Sequence, residues 1–149
     1  MAAELISPPL DVAQYPFAHA LRVRFAETDA MGVVHHASYL PWFEEARVAL
    51  LAHGGHDYAQ VHSDGLDLAV IEVRVRYRQA IRFGDAVTVH AGVAEISRTV
   101  LQIAYLLEVD GQTAATGVTS HACVDREGRP VRVPEWLLDL GQDTTALRR

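Results

Sequence analysis

The feature that most constrains the fold is a change of period along the chain. From Ser38 the apolar residues recur at helical spacing: Tyr39, Phe43, Ala46 and Leu50 form one stripe, with Leu40, Trp42 and Leu51 beside it. Ser38 is placed to cap this helix, Pro41 is tolerable in its first turn, and Gly54-Gly55 supplies the stop. Beyond residue 68 the period is two. In 69–78, Ala69, Ile71, Val73, Val75 and Tyr77 alternate with Val70, Glu72, Arg74, Arg76 and Arg78. Residues 85–95 predict a second strand. Residues 98–109 predict a third, with Leu101, Ile103, Tyr105, Leu107 and Val109 on one face, and 112–124 a fourth. Short turns at Phe83-Gly84-Asp85 and Asp110-Gly111 make these neighbours antiparallel. Ahead of the helix, 20–26 alternates Leu21, Val23 and Phe25 against Arg22 and Arg24, which predicts one more strand. One helix cannot cover both faces of such a sheet. The expected architecture is therefore α+β, a curved antiparallel sheet wrapped around one long central helix. The sheet's other face and its edges invite burial against a second copy.

The remaining segments are short. Residues 1–17 contain Pro8, Pro9 and Pro16 and no sustained period, and read as an N-terminal arm that is mobile in part. Tyr58–His62 predicts a short helix, and Pro134 opens a final one through Leu140. The expected division is an arm at 1–17, a single domain at 18–141 and a C-terminal tail at 142–149. A net charge of -6 argues against nucleic-acid binding. All thirteen basic residues are arginines, which removes Schiff-base lysine chemistry. Cys123 is the only cysteine, so no disulfide forms within the chain. The first residues have neither a basic nor an apolar signal segment, and no apolar run reaches membrane-spanning length. A cytoplasmic protein is expected.

Most of the irregular polar sequence lies in one loop, Glu27 to Ser38, at the entry to the long helix. Backbone N–H groups at a helix start lack internal partners and carry the positive end of the helix dipole. They can hold the oxyanion formed when a carbonyl is attacked. Asp29, a few residues upstream, could attack that carbonyl or deprotonate a water, and Gly32 would let backbone approach a ligand. Before any resemblance is considered, an Asx turn or a cap is the commoner explanation of a loop aspartate.

The stretch FAETDAMGVVHHASYLPWFEEAR, Phe25 to Arg47, resembles the signature of hotdog-fold thioesterases of the 4-hydroxybenzoyl-CoA thioesterase-like branch. It is also similar to the acyl-CoA thioesterases associated with the Tol–Pal system. The matching positions are Asp29, Gly32, Val34, His36, Tyr39, Trp42-Phe43, Glu44 and Ala46-Arg47. Fainter likeness continues at Tyr77, Gly84-Asp85, Ser97-Arg98-Thr99 and Val133-Pro134. Glu27 stands where the family usually has an aspartate that is not the catalytic one. The resemblance implies a single hotdog thioesterase domain that hydrolyses an acyl-CoA to free acid and CoA. Asp29 would be nucleophile or general base, and the backbone N–H of His36 would polarise the thioester carbonyl. No metal or cofactor is required, CoA being part of the substrate. The family forms dimers and often tetramers, so a homo-oligomer is expected.

Other candidates carry two readings each. Glu44 is a reserve base or substrate contact, or a buried acid bonded to Arg47 or to a strand. Tyr39 would line the acyl pocket. Arg98 is the better phosphate candidate, with Thr99 near the thioester. Arg74, Arg76 and Arg78 could hold CoA phosphates or simply solvate an exposed sheet face. His35-His36 lacks further evident ligands for a metal. Cys123 reads as a small apolar filler. The competing functions are a non-catalytic acyl-CoA-binding hotdog module and a hotdog hydratase, whose characteristic segment is not found here.

Overall fold

The computed structural model describes residues 4–142; the first three residues and most of the expected tail at 142–149 lie outside it. The strands are β1 (Phe17–Arg22), β2 (Asp67–Tyr77), β3 (Ala86–Ile96), β4 (Val100–Val109) and β5 (Gln112–Val124). The helices are α1 (Tyr39–His53), α2 (Tyr58–Ser63) and α3 (Glu135–Gln142). All strand pairs are antiparallel and the sheet order is β1-β3-β4-β5-β2. This is the hotdog architecture, with α1 cradled by the sheet. None of the described helices is long and apolar enough to cross a membrane.

The inner face follows the alternation. Leu101, Ile103, Tyr105 and Leu107 of β4 are fully buried beneath α1. Phe43 lies flat on Tyr105, with ring centroids 4.4 Å apart and planes at 18°. Gly117 of β5 is where the ring fits, because a Cβ there would lie 2.6 Å from Phe43 Cε2.

A polar chain runs through this core. Tyr105 Oη and Thr119 Oγ1 are 2.8 Å apart, Thr119 Oγ1 and His121 Nε2 2.7 Å, and His121 Nδ1 and Arg47 Nη1 3.3 Å. Burial, reinforced by the Arg47 cation, pushes the His121 pKa down from 6.5 to about 3. The unfolded chain therefore binds a proton in that interval that the native state refuses. His121's stabilising contribution is complete above its unfolded pKa of 6.5 and is lost as pH falls toward about 3. The slope approaches about 1.4 kcal/mol per pH unit. Urea midpoints at several pH values should fall in this way, and His121→Gln should flatten the profile; an unchanged slope would contradict the assignment.

Four expectations change. The predicted strand 20–26 sits earlier, at Phe17–Arg22, because its partner β3 begins at Ala86, opposite Arg22; past that pair only Val23 bonds across, to Asp85 and Gly84. Phe25 then falls in a 3-10 turn, 77% exposed rather than buried. In β2 a register shift between Val70 and Glu72 resets the alternation. Val70 and Val73, opposite His121 and Thr119, thus share the helix-side face, where they line an open groove and stay exposed as Ile71 does. The arm is not loose over 4–16. Ile6 N donates to Gln102 Oε1 and Gln102 Nε2 donates to the Glu4 carbonyl, both at 2.9 Å. Arg74 donates to the Ile6 carbonyl. Tyr15 packs with Ala94, Ala104 and Leu106, so the chain's own arm covers much of the outer face that seemed to call for a second copy. Finally, Ser38 stands at the N-cap of α1 but makes no side-chain cap bond; the side-chain cap lies one turn earlier, where His35 caps the 3-10 turn His36–Ser38.

Candidate active site

The loop before α1 is a tight hairpin. Asp29 N donates to the Val33 carbonyl at 2.8 Å, Gly32 N donates to the Asp29 carbonyl at 3.0 Å, and isolated bridges join Thr28 to Val34 and Val33 to Arg82. Gly32 has φ +79, a conformation that disfavours side chains, and nothing lies within 4 Å of a Cβ placed there. Its requirement is conformational, and it does not line the cleft described below.

Glu27 ties this loop to the helix. It is buried, its carboxylate accepts from the Trp42 indole N–H and from Arg24 N, and its carbonyl accepts from His35 N and the Ser38 hydroxyl. Burial acts to raise its pKa, but these donors and the Arg24 cation outweigh it and hold the carboxyl below its usual range. The family-atypical acid thus has a structural role, which the sequence did not single out.

His36 opens a 3-10 turn, His36–Ser38, that runs directly into α1. Its N–H occupies the position a helix start leaves without an internal acceptor. His35 caps the turn, Nδ1 accepting from Ala37 N at 3.1 Å, and the two histidine rings lie 4.2 Å apart. Tyr77 Oη donates to the His36 carbonyl at 2.8 Å, which pins the turn to the end of β2.

A cleft of ≈ 360 Å³ brings Asp29 and His36 together with Val33, Val34, Tyr39, Tyr77 and Arg78. Asp29 Oδ1 accepts from Met31 N at 2.8 Å and, longer, from Val33 N at 3.4 Å. That is an Asx turn, yet it engages one oxygen; among the described residues Oδ2 has no hydrogen bond. Burial, with Tyr77 nearby, raises the Tyr39 pKa to about 12, so its hydroxyl stays protonated at ordinary pH.

The other candidates lie elsewhere in the protomer. Glu44 is 69% exposed, 3.7 Å from Arg47 Nη2, and faces a separate groove with Leu40, Val70 and Val73. It is not the buried acid the sequence suggested. Arg98 and Thr99 sit in the β3–β4 turn, where the Thr99 carbonyl accepts from Cys123 N. The Asp29 cleft lies beside Tyr77, level with Leu107 toward the other end of β4, a separation of about 27 Å at strand rise. Cys123 is buried, and burial pushes its thiol up to about 11, as suits an inert filler.

A sheet that cradles one long helix is the hotdog fold, and the acidic hairpin at the helix start is its candidate site. The family profile of the Thioesterase-like superfamily matches residues 23–140. The chain belongs to this superfamily, and it is a thioesterase. A 1,4-dihydroxy-2-naphthoyl-CoA hydrolase of Thermosynechococcus vestitus is 32% identical over 122 residues, covering 77% of this chain and 84% of that relative. A protein of Aquifex aeolicus of known structure superposes with a TM-score of 0.81 at 32% identity, covering 85% of this chain and 99% of that one. A DHNA-CoA thioesterase from Staphylococcus aureus gives 0.78 at 29% identity, covering 87% and 89% respectively.

Proposed function

We propose that the protein hydrolyses acyl-CoA thioesters in the cleft shared by Asp29 and His36. The observation that carries this reading is one cleft lined both by Asp29, whose carboxylate keeps a free oxygen, and by His36, the first residue of the turn that starts the helix. The thioester carbonyl oxygen accepts from the His36 N–H, where the helix dipole favours the developing oxyanion. Asp29 then either attacks the carbonyl carbon or takes a proton from an attacking water, and the C–S bond breaks to release CoA. The Asx turn is compatible with this, because it uses one oxygen and orients the other. An acyl-CoA panel with thiol-release detection tests the proposal. Aromatic hydroxyacyl groups belong in it, since relatives are named for such a substrate. Turnover of at least one ester is expected, and inertness toward the whole panel would overturn the proposal in favour of the binding-module or hydratase reading.

The working unit we propose is a homodimer paired along β2. This eleven-residue strand is the sheet edge, and Val70, Ile71, Val73 and Tyr77 are exposed along it at 52%, 50%, 37% and 48%. Such an edge invites antiparallel pairing with a second copy. A two-fold there sets the Tyr77 end of one strand beside the Val70 end of the other. The Asp29 cleft of one protomer then faces the apolar Leu40–Val70–Val73 groove of its partner. Light scattering should give the mass of two chains, or of four if dimers pair again; a stable monomer at micromolar concentration would refute the assembly.

A further inference from the structure

The helix-side groove beside β2 has a charged floor that hydrolysis at Asp29 leaves unused. Leu40, Pro41, Phe43, Val70 and Val73 give it apolar walls, and its volume is ≈ 290 Å³. Arg47 and Thr119, only 5% and 4% exposed, lie at its base. A guanidinium stays charged wherever it sits, and a buried one calls for an anion and a full set of acceptors. Arg47 has neither in full. Nη1 donates to Nδ1 of His121 at 3.3 Å, a ring that burial and this same cation hold neutral. Nε is buried and has no hydrogen-bond partner among the described residues. Nη2 faces only Glu44, 3.7 Å away, and that carboxylate is 69% exposed, so water screens the pair.

The unused donors form one edge of the guanidinium. Nε and Nη2 present two parallel N–H bonds, the fork that a carboxylate meets with both its oxygens. A hydroxyl brings one oxygen and would leave the other donor unpaired, which is costly for a buried group. Glu44 approaches this edge at ion-pair distance, too far for a hydrogen bond. When two chains pair along β2, the groove of one protomer faces the Asp29 cleft of the other, so the acyl group enters it. Apolar walls accept methylenes and the floor accepts an anion, which describes an acyl chain with an acid at its far end.

We infer that Arg47 determines specificity by pairing with a carboxylate at the distal end of the acyl group, so that the preferred substrates are monothioesters of dicarboxylic acids. The inference deepens the acyl-CoA reading and rests on it, with the β2 pairing supplying the reacting cleft. Glu44 competes with the ligand for Arg47 and gives way when the substrate carboxylate arrives.

The test measures kcat/KM of the full-length protein for succinyl-, glutaryl- and adipoyl-CoA against butyryl-, pentanoyl- and hexanoyl-CoA, with the hydroxyl-ended esters of the same lengths alongside. The acid-ended ester of at least one length should be favoured by about tenfold or more, the scale of a charged hydrogen bond. Arg47→Met, which keeps length and apolar packing, should erase the preference, and Arg47→Lys, which keeps charge without the fork, should retain part of it. Arg47 is buried, so thermal unfolding checks both variants. Glu44→Gln alters an exposed side chain and removes the competing carboxylate, so the preference should rise; a merely structural Arg47 predicts no change there. Turnover without preference for any acid-ended ester overturns the carboxylate site alone, as does a preference that neither Arg47→Met nor Glu44→Gln moves. Faster turnover of the hydroxyl-ended esters overturns the choice of ligand. A wild type that hydrolyses no ester, aromatic ones included, overturns the acyl-CoA reading and this site with it.

Discussion

Replacing Asp29 with Asn should lower kcat by about 100-fold or more while KM moves little, the scale for losing a base or nucleophile. The choice of Asn matters. Asp29 Oδ1 accepts from Met31 N and Val33 N, and an amide oxygen can do the same. The hairpin and the cleft therefore survive, and what disappears is the second carboxylate oxygen. Asp29→Ala would also remove the Asx turn and so would mix structural with chemical loss. The measurement is initial-rate thiol release at several substrate concentrations. Full turnover by Asp29→Asn would end the assignment of the reacting group, and a raised KM at normal kcat would mark Asp29 as a binding residue only.

The second large effect is structural. Phe43→Ala should cost about 3–5 kcal/mol, which lowers Tm by on the order of 10 °C for a chain of this size. The ring is 1% exposed and packs between Tyr105 and the bare backbone of Gly117. Neither neighbour can fill the void, because Tyr105 is held through Thr119 and Gly117 has no side chain. Gly117→Ala should itself destabilise by overpacking, about 1–3 kcal/mol. The added methyl would occupy part of the space vacated in Phe43→Ala. The double variant should accordingly be more stable than the sum of the two losses predicts. Chemical denaturation of the four proteins measures this, and strict additivity would show that ring and glycine do not share one site.

The sequence told which elements exist better than where their faces end. β5 runs exactly over the predicted 112–124, and β4 buries the predicted Leu101-to-Leu107 face. Both are central strands, flanked on either side, so pattern and pairing agree. β1 and β2 are edge strands, and there the pattern was a poorer guide. Phe25 looked inward by alternation, but β1 stops where β3 stops pairing with it. Ile71 looked inward too, until the bulge at Val70–Glu72 moved Val70 to that face. A period of two reports parity, and parity fails wherever a residue has no partner opposite. At the site, Asp29, His36 and Tyr39 were legible because they cluster within one short loop and helix entry. Tyr77 and Arg78 complete the cleft from the far end of a strand some forty residues away, a distance over which local sequence carries no information.

The amino-acid sequence by itself determined the α+β class with its one long helix and the acidic loop at that helix's entry, and the motif from Phe25 to Arg47 carried the resemblance to the hotdog family. Each of these follows from local periodicity or from residues close together in the chain. Only the tertiary structure decided that Asp29 spends one oxygen on its own turn and that the side-chain cap at the helix entry comes from His35, not Ser38. It alone folded the arm onto the outer sheet, left Arg98 and Thr99 at the far end, and set Arg47 beneath a groove with one edge unpaired. Those outcomes depend on which distant backbone groups and surfaces become neighbours, and that is settled by packing the whole chain at once.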